Sequence, residues 1–223
     1  MTLTTLEALH EAFSDFTNES APPATNDIRY RRRTRWFNRA RQDIASRLFL
    51  KELLKHDTLS IQSGTATYTL PEDFAKPNGL YVLTSADGSI VYTDPFEKRV
   101  TVAVARDLST GRYQLTFTPT PTTDDEAPYW YFAAPAPLEE DSDPVLVNGE
   151  AVLAFALKQH YFISGPLDKF AESRDEYENI VAEVAERNEI PAPGTLPGMH
   201  NVLRARLGTT SEKSFYNGHS RRR

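Results

Sequence analysis

The sequence predicts an α+β protein: a helical bundle into which a small antiparallel β-module is inserted, followed by an extended C-terminal arm. Three observations predict it. Apolar residues recur at helical spacing near both ends of the 223-residue chain. Between residues 58 and 147 the period falls to two, with Gly and Pro punctuating short β-branched and aromatic runs. Beyond residue 190 the prolines of IPAPGTLPG exclude regular structure, and a basic tail follows. The units are therefore 1–57 with 148–190 as the bundle, 58–147 as the β-rich insertion and 191–223 as the arm.

The elements follow in order. Leu3, Leu6, Leu9 and Phe13 share a face, predicting a helix over 3–17 with Thr2 or Thr4 as its cap. NESAPPAT (18–25) is a loop. Asn26 caps a long helix reaching about Lys55, with Tyr30, Phe37, Ile44 and Leu48 on one face. Thirty residues at 1.5 Å each make a rod of ~45 Å. LSI (59–61) and ATYTL (66–70) flank QSGT as a hairpin with Gly64 in its turn. GLYVL (79–83) and SIVYT (89–93) flank Asp87–Gly88 as a second. VTVAVA (100–105) and RYQLTFT (112–118) surround a loop ending at Gly111, and APYWYFA (127–133) is a further strand. These strands make a small sheet, sandwich or partial barrel. EAVLAFALKQHYF (150–162) is a helix with Leu153, Leu157 and Tyr161 on one face. Gly165–Pro166 ends it, and Asp168 opens another carrying Phe170, Tyr177, Ile180 and Val184.

Composition narrows the function. The apolar fraction is 39% with only 10 Gly, leaner than an average globular chain, while 11% aromatics argue against global disorder. A lean core fits a protein that hides surface against partners. With no Cys, thiol chemistry and Cys-ligated metals are excluded. No basic, apolar leader opens the chain and no apolar run approaches a bilayer span, so an intracellular origin without membrane association is expected.

The formal charge of −6 conceals segregation. Residues 27–56 hold ten Lys/Arg against three Asp/Glu, and residues 202–223 hold six against one. Residues 57–201 hold nine against twenty-three. Such a pattern points to a charged partner or to pairing between subunits.

No phosphate-binding Gly loop, GxSxG or HExxH occurs, so no catalytic residue, metal or cofactor is assigned. The five His are scattered, and His160 reads as a partly buried side chain on a packed helix. EEDSD (139–143) lacks the Gly of a cation loop and reads as a solvated connection; DDE (124–126) reads as a hairpin tip. A hydrolase using a carboxylate pair has no specific support.

Two features invite partners. Arg31, Arg32, Arg35 and Arg39 fall opposite the apolar face of the long helix, although like charges four apart cost ~0.2–0.5 kcal/mol per pair. Such a stripe is a solvated face, meets an acidic surface, or meets nucleic acid. Helix 168–189, with Glu172, Asp175, Glu176, Glu183 and Glu186, is a candidate acidic neighbour. The tail is either a disordered end or an arm that orders on a partner through Val202, Leu203, Leu207, Phe215 and Tyr216, with Arg204, Arg206, Arg221, Arg222 and Arg223 supplying charge.

The order of phrases carries a resemblance. A long helix precedes YTLPEDF (68–74), then LTFTPTP (115–121), YWYFAAPAPL (129–138), SDPVLVN (142–148) and the 150–162 helix. Over roughly residues 27–190 the chain resembles head-to-tail adaptor proteins of tailed bacteriophages, also called head-completion or connector proteins. The resemblance implies a non-enzymatic virion protein, made in the host cytoplasm and sited at the neck. It implies a ring, commonly of twelve copies, below the portal protein, whose other side receives a tail, nozzle or second adaptor protein. Genomic DNA passes through its lumen without sequence-specific contact, and the C-terminal arm docks on the portal. A nucleic-acid-binding module using helix 27–56 is the alternative function.

Overall fold

The computed structural model describes residues 3–19, 22–88, 90, 92 and 100–187. Among the described residues, four α-helices and two three-stranded antiparallel sheets make up an α+β fold. The expected arm, and part of the strand expected at 89–93, lie outside the described residues.

The first helix, α1, spans Leu6–Phe16 and buries Leu6, Leu9 and Phe13. Its cap is Thr5, whose hydroxyl accepts from the Ala8 amide, rather than Thr2 or Thr4. Thr4 instead pairs in extended form: its carbonyl accepts from the Val145 amide, beside a bridge between Thr5 and Pro144.

The long helix, α2, is shorter than expected. Asp27, not Asn26, caps it, accepting from the Arg29 amide at 2.7 Å, and it ends at Arg47 (Ile28–Arg47), a rod of ~30 Å. The leucines past residue 47 suggest helix, but burial claims them differently. Leu48 turns extended, Leu50 and Leu53 enter the helical core, and the chain has become strand by Leu54. Lys76, from the β-module, secures this end. Its ammonium donates to the carbonyls of Ala45, Ser46 and Leu48 at 3.0–3.4 Å, where a cation also complements the helix dipole.

The strands are β1 (Leu54–Ile61), β2 (Thr67–Thr69), β3 (Leu80–Leu83), β4 (Thr101–Arg106), β5 (Tyr113–Thr118) and β6 (Asp125–Phe132). One sheet runs β1-β6-β3 and the other β2-β5-β4. The hairpin expected around Gly64 is not a ladder. The turn forms, with Gly64 at φ 81 and the Thr65 amide on the Gln62 carbonyl, but β1 then pairs with β6 and β2 with β5. The chain changes sheet there, as its long-range partners dictate. Around Gly88 the described backbone pairs Tyr92 with Leu83 and Ser85 with Ile90. The β4–β5 hairpin forms about Gly111 (φ 72).

The two sheets face each other over one core. Ile61, Leu83, Leu115, Phe117, Ala127, Tyr129 and Tyr131 fill it, with Val102 and Val104 from β4 partly buried. Alternation on β6 sends Tyr129 and Tyr131 inward and Trp130 out against His56. Two of the phrases singled out above meet here. Phe74 stacks on Tyr131, Asp73 accepts from the Tyr131 hydroxyl at 2.9 Å, and Phe74 bridges to Ala133.

The return segment after β6 lies on α2. Leu138 and Val145 enter the helical core, and Leu146 (φ 54) redirects the chain into the Asn148 cap of the third helix, α3 (Gly149–Ser164). Ala151, Val152, Leu153, Ala154, Ala156 and Leu157 are all buried, so α3 is embraced on several sides rather than on one stripe. Gly149 permits this: a β-carbon there would meet the Leu3 carbonyl oxygen at 2.1 Å. The fourth helix, α4 (Leu167–Arg187), packs on α3 through Ser173, Tyr177 and Val181.

Candidate assembly surface

The eight arginines of α2 divide by angle around the helix. Arg33 and Arg41, each 2% exposed, share the buried side with Tyr30, Phe37 and Ile44. Arg33 lies over the Phe13 ring, donates to Ser14 Oγ at 2.8 Å and pairs with Glu19 at 2.5 Å. Arg41 donates to the carbonyls of Val145 and Ala136, both at 2.8 Å. Asn38 completes the clasp by exchanging hydrogen bonds with the Leu138 backbone at 3.1 and 2.8 Å. Burial pulls the Arg41 pKa down, opposed by the nearby Asp143 carboxylate. Three polar side chains of α2 therefore hold fixed parts of the fold. The sequence signal for them was the helical angle, which puts Arg33 and Arg41 among the apolar residues.

Arg31, Arg32, Arg35 and Arg39 take the other side, and all four are exposed. Arg31 donates to the Asn26 carbonyl at 3.4 Å. Among the described residues none of the four meets a carboxylate. The acidic neighbour expected within the chain, α4, does not cover them. Its hydrogen bonds to α2 lie past the stripe, from the Tyr177 hydroxyl to Asp43 at 2.5 Å and from Arg47 to Glu178 at 2.8 Å. Asp168, Glu172, Asp175, Glu183 and Glu186 lie on the side of α4 opposite Tyr177 and are directed away from α2 of the same chain, whereas Glu178 meets Arg47.

The portal-docking residues expected in the tail, Val202, Leu203, Arg204, Arg206, Leu207, Phe215, Tyr216 and Arg221 to Arg223, lie outside the described residues.

The other acidic runs are structural. In 139–143, Asp143 accepts from the amides of Glu139 and Glu140, which holds its carboxyl below the usual range. The carbonyls of Asp141 and Asp143 receive the first amides of α1, and the Asp141 carboxylate receives the Tyr30 hydroxyl. The run is thus packed against α1 rather than a purely solvated connection. Residues 124–126 are not a hairpin tip but the crossing into β6. There Asp125 accepts from the Ala86 amide and the Tyr92 hydroxyl, whose pKa rises to about 12 through burial and that bond. No group of three His, Cys, Asp or Glu among the described residues is placed to hold a metal ion.

His10 is 2% exposed, stacks on Tyr30 with centroids 4.0 Å apart and contacts Thr34 Oγ1 through Nε2 at 3.0 Å. Burial, helped by the Arg33 charge, lowers its pKa to about 4. His160 packs edge-on to Phe13 and Trp36, and burial lowers its pKa as well.

Two further surfaces had no sequence signal. A groove of about 460 Å³ runs between α1, α3 and α4, floored by Leu153, Leu157 and Ile180 and edged by Asp15, Glu150 and Glu176. At the α3–α4 corner Phe162 and Leu167 are 71% and 81% exposed. Both assemble residues from separate helices, so no local pattern marks them. No described helix is long and apolar enough to cross a membrane.

A protein-family model described as SU10 adaptor protein matches residues 4–197, which takes in all four helices and both sheets. No curated protein matches the chain.

Proposed function

The chain belongs to the SU10 adaptor protein family, a family of phage structural proteins, and we propose that it is a head-to-tail adaptor working at the neck of the virion. Copies close into a ring, twelve by the resemblance described above, between the portal protein and the tail, nozzle or second adaptor protein. The ring acts by contact rather than by catalysis. The observation that carries this reading is the family match, because it spans helices and β-sandwich together.

The surfaces are consistent with such a role. The four outward arginines of α2 and the apolar α3–α4 corner are groups that a partner would cover. Carboxylates such as Asp124, Glu139 and Glu140 stand exposed, and acidic groups facing a lumen repel phosphate and keep DNA sliding. The basic arm docks on the portal.

The test is to mix the purified chain with its phage's portal protein and image the product by electron microscopy. A ring of this chain seated on the portal is the expected result. No complex, together with a tail that stays protease-sensitive after mixing, overturns the reading. The arginine stripe, which meets no carboxylate among the described residues, supports a second reading, a nucleic-acid-binding module. Under it, duplex DNA binding falls steeply with salt and disappears in Arg35→Ala/Arg39→Ala, while assembly is unchanged.

A further inference from the structure

Two outer faces of the helical part carry opposite charge and cannot meet within one chain. Arg31, Arg32, Arg35 and Arg39 project from α2 on the side opposite Tyr30 and Phe37, without a carboxylate partner among the described residues. Spacings of four place Arg31 beside Arg35 and Arg35 beside Arg39, so the stripe repels itself until something anionic covers it. On α4 the side opposite Tyr177 carries Asp168, Glu172, Asp175, Glu183 and Glu186, all exposed, beside Asn179 and Ala182. Tyr177 reaches Asp43 of α2, so this acidic face points away from α2 of its own chain. Among the described residues, Glu172, Asp175 and Glu183 pair only with residues of α4 itself, namely Lys169, Arg174 and Arg187. Such exposed pairs are weak and leave the face anionic. Seven carboxylates against three basic side chains give α4 a negative balance, while α2 carries eight arginines against Asp43.

We infer that the arginine stripe of α2 docks on the acidic outer face of α4 of a second copy. The lengths suit this. The stripe covers ~12 Å of α2, and Asp168, Glu172 and Asp175 cover ~10 Å of α4. The contact joins two different surfaces, so every bound copy still offers one free face of each kind. A head-to-tail contact of this kind propagates, and it closes into a ring when the rotation per copy allows. The inference rests on the ring reading above and specifies its subunit contact.

Charge reversal in the full-length chain tests it, with assembly on the portal read by mass photometry and electron microscopy. One variant carries Arg31→Glu, Arg35→Glu and Arg39→Glu; the other carries Asp168→Lys, Glu172→Lys and Asp175→Lys. All six positions are exposed, and circular dichroism checks that both variants are folded. Each variant alone places like charges together, and its assembly weakens by about 100-fold or more. Mixed in equal amounts, the two alternate around the ring, because every contact again joins opposite charges, and assembly returns. A chain carrying all six changes assembles alone.

If the wild type forms no ring, the proposed function and this contact fall together. If the wild type forms rings and the single variants do so equally well, the ring stands and this contact is wrong. Folded variants whose mixture fails as badly as each alone also overturn it. Unchanged assembly with loss of duplex DNA binding in the α2 variant overturns it in favour of nucleic acid.

Discussion

Arg39 and Arg41 sit two residues apart on one helix and provide a matched pair of perturbations. Replacing Arg41 with Met keeps the aliphatic stem and removes the guanidinium. The Val145 carbonyl, 2.8 Å from that group, is then left buried without a donor, while the Ala136 carbonyl, also at 2.8 Å, belongs to an exposed residue and can turn to water. The unsatisfied buried acceptor costs ~1–3 kcal/mol, and the lost bond to Ala136 adds ~1 kcal/mol. Part of this is returned because a buried cation no longer has to be stripped of water. A net loss of ~1–3 kcal/mol is expected. Arg39→Met removes an exposed charge with no partner among the described residues, and the change should stay within ~0.5 kcal/mol. Urea unfolding followed by circular dichroism and by tryptophan fluorescence measures both. Trp36 belongs to the helical core and Trp130 lies on β6, so the emission reports from helices and sheets. With a urea slope of ~2–3 kcal/mol per molar, Arg41→Met moves the midpoint down by ~0.5–1 M while Arg39→Met leaves it in place. Equal midpoints for the two variants would refute the assignment of Arg41 as the clasp on the return segment.

Three other outcomes are expected. Because the His10 pKa is lowered to about 4 in the folded protein, the unfolded chain takes up the proton first as pH falls. The stability this neutral ring supports is complete above pH ~6.5 and drains away towards pH 4, by up to ~3 kcal/mol, and His10→Phe should flatten that part of a urea-midpoint profile against pH. Tyr177→Phe removes the hydroxyl that reaches Asp43 and should lower stability by ~1.5–3 kcal/mol in the same urea assay, with the helix content of the folded protein unchanged. Gly149→Ala forces a methyl against the Leu3 carbonyl and should cost ~1–3 kcal/mol, whereas Ala151→Gly two positions on acts only through helix propensity and a lost buried methyl; comparing thermal melts separates the clash from propensity.

Periodicity carried most of the fold into view. Leu6, Leu9 and Phe13 marked α1, the alternation from Thr101 to Thr118 marked the β4–β5 hairpin, and Gly165–Pro166 marked the break between α3 and α4. Failures clustered where distant residues decide. The end of α2 is set by Lys76 and by the burial of Leu50 and Leu53, none of which a local window weighs. The turn at Gly64 was legible, yet nothing nearby tells whether its flanking strands pair with each other or with β5 and β6. The arginine stripe could be read from helical angle alone. That α4 turns its carboxylates away from it could not, because this depends on Tyr177 meeting Asp43 across the bundle.

Both passages between helices and sheets are fastened to α2. The outgoing one is held where Lys76 grips the last carbonyls of the helix and Phe49 packs on Phe132. The returning one is held along the helix by Asn38 and Arg41. A push on the sandwich is therefore borne by two struts rather than one hinge, and it travels into the same rod whose far flank carries the arginine stripe. In the proposed ring, mechanical load from whatever seats on the sheets would be handed from one molecule to the next.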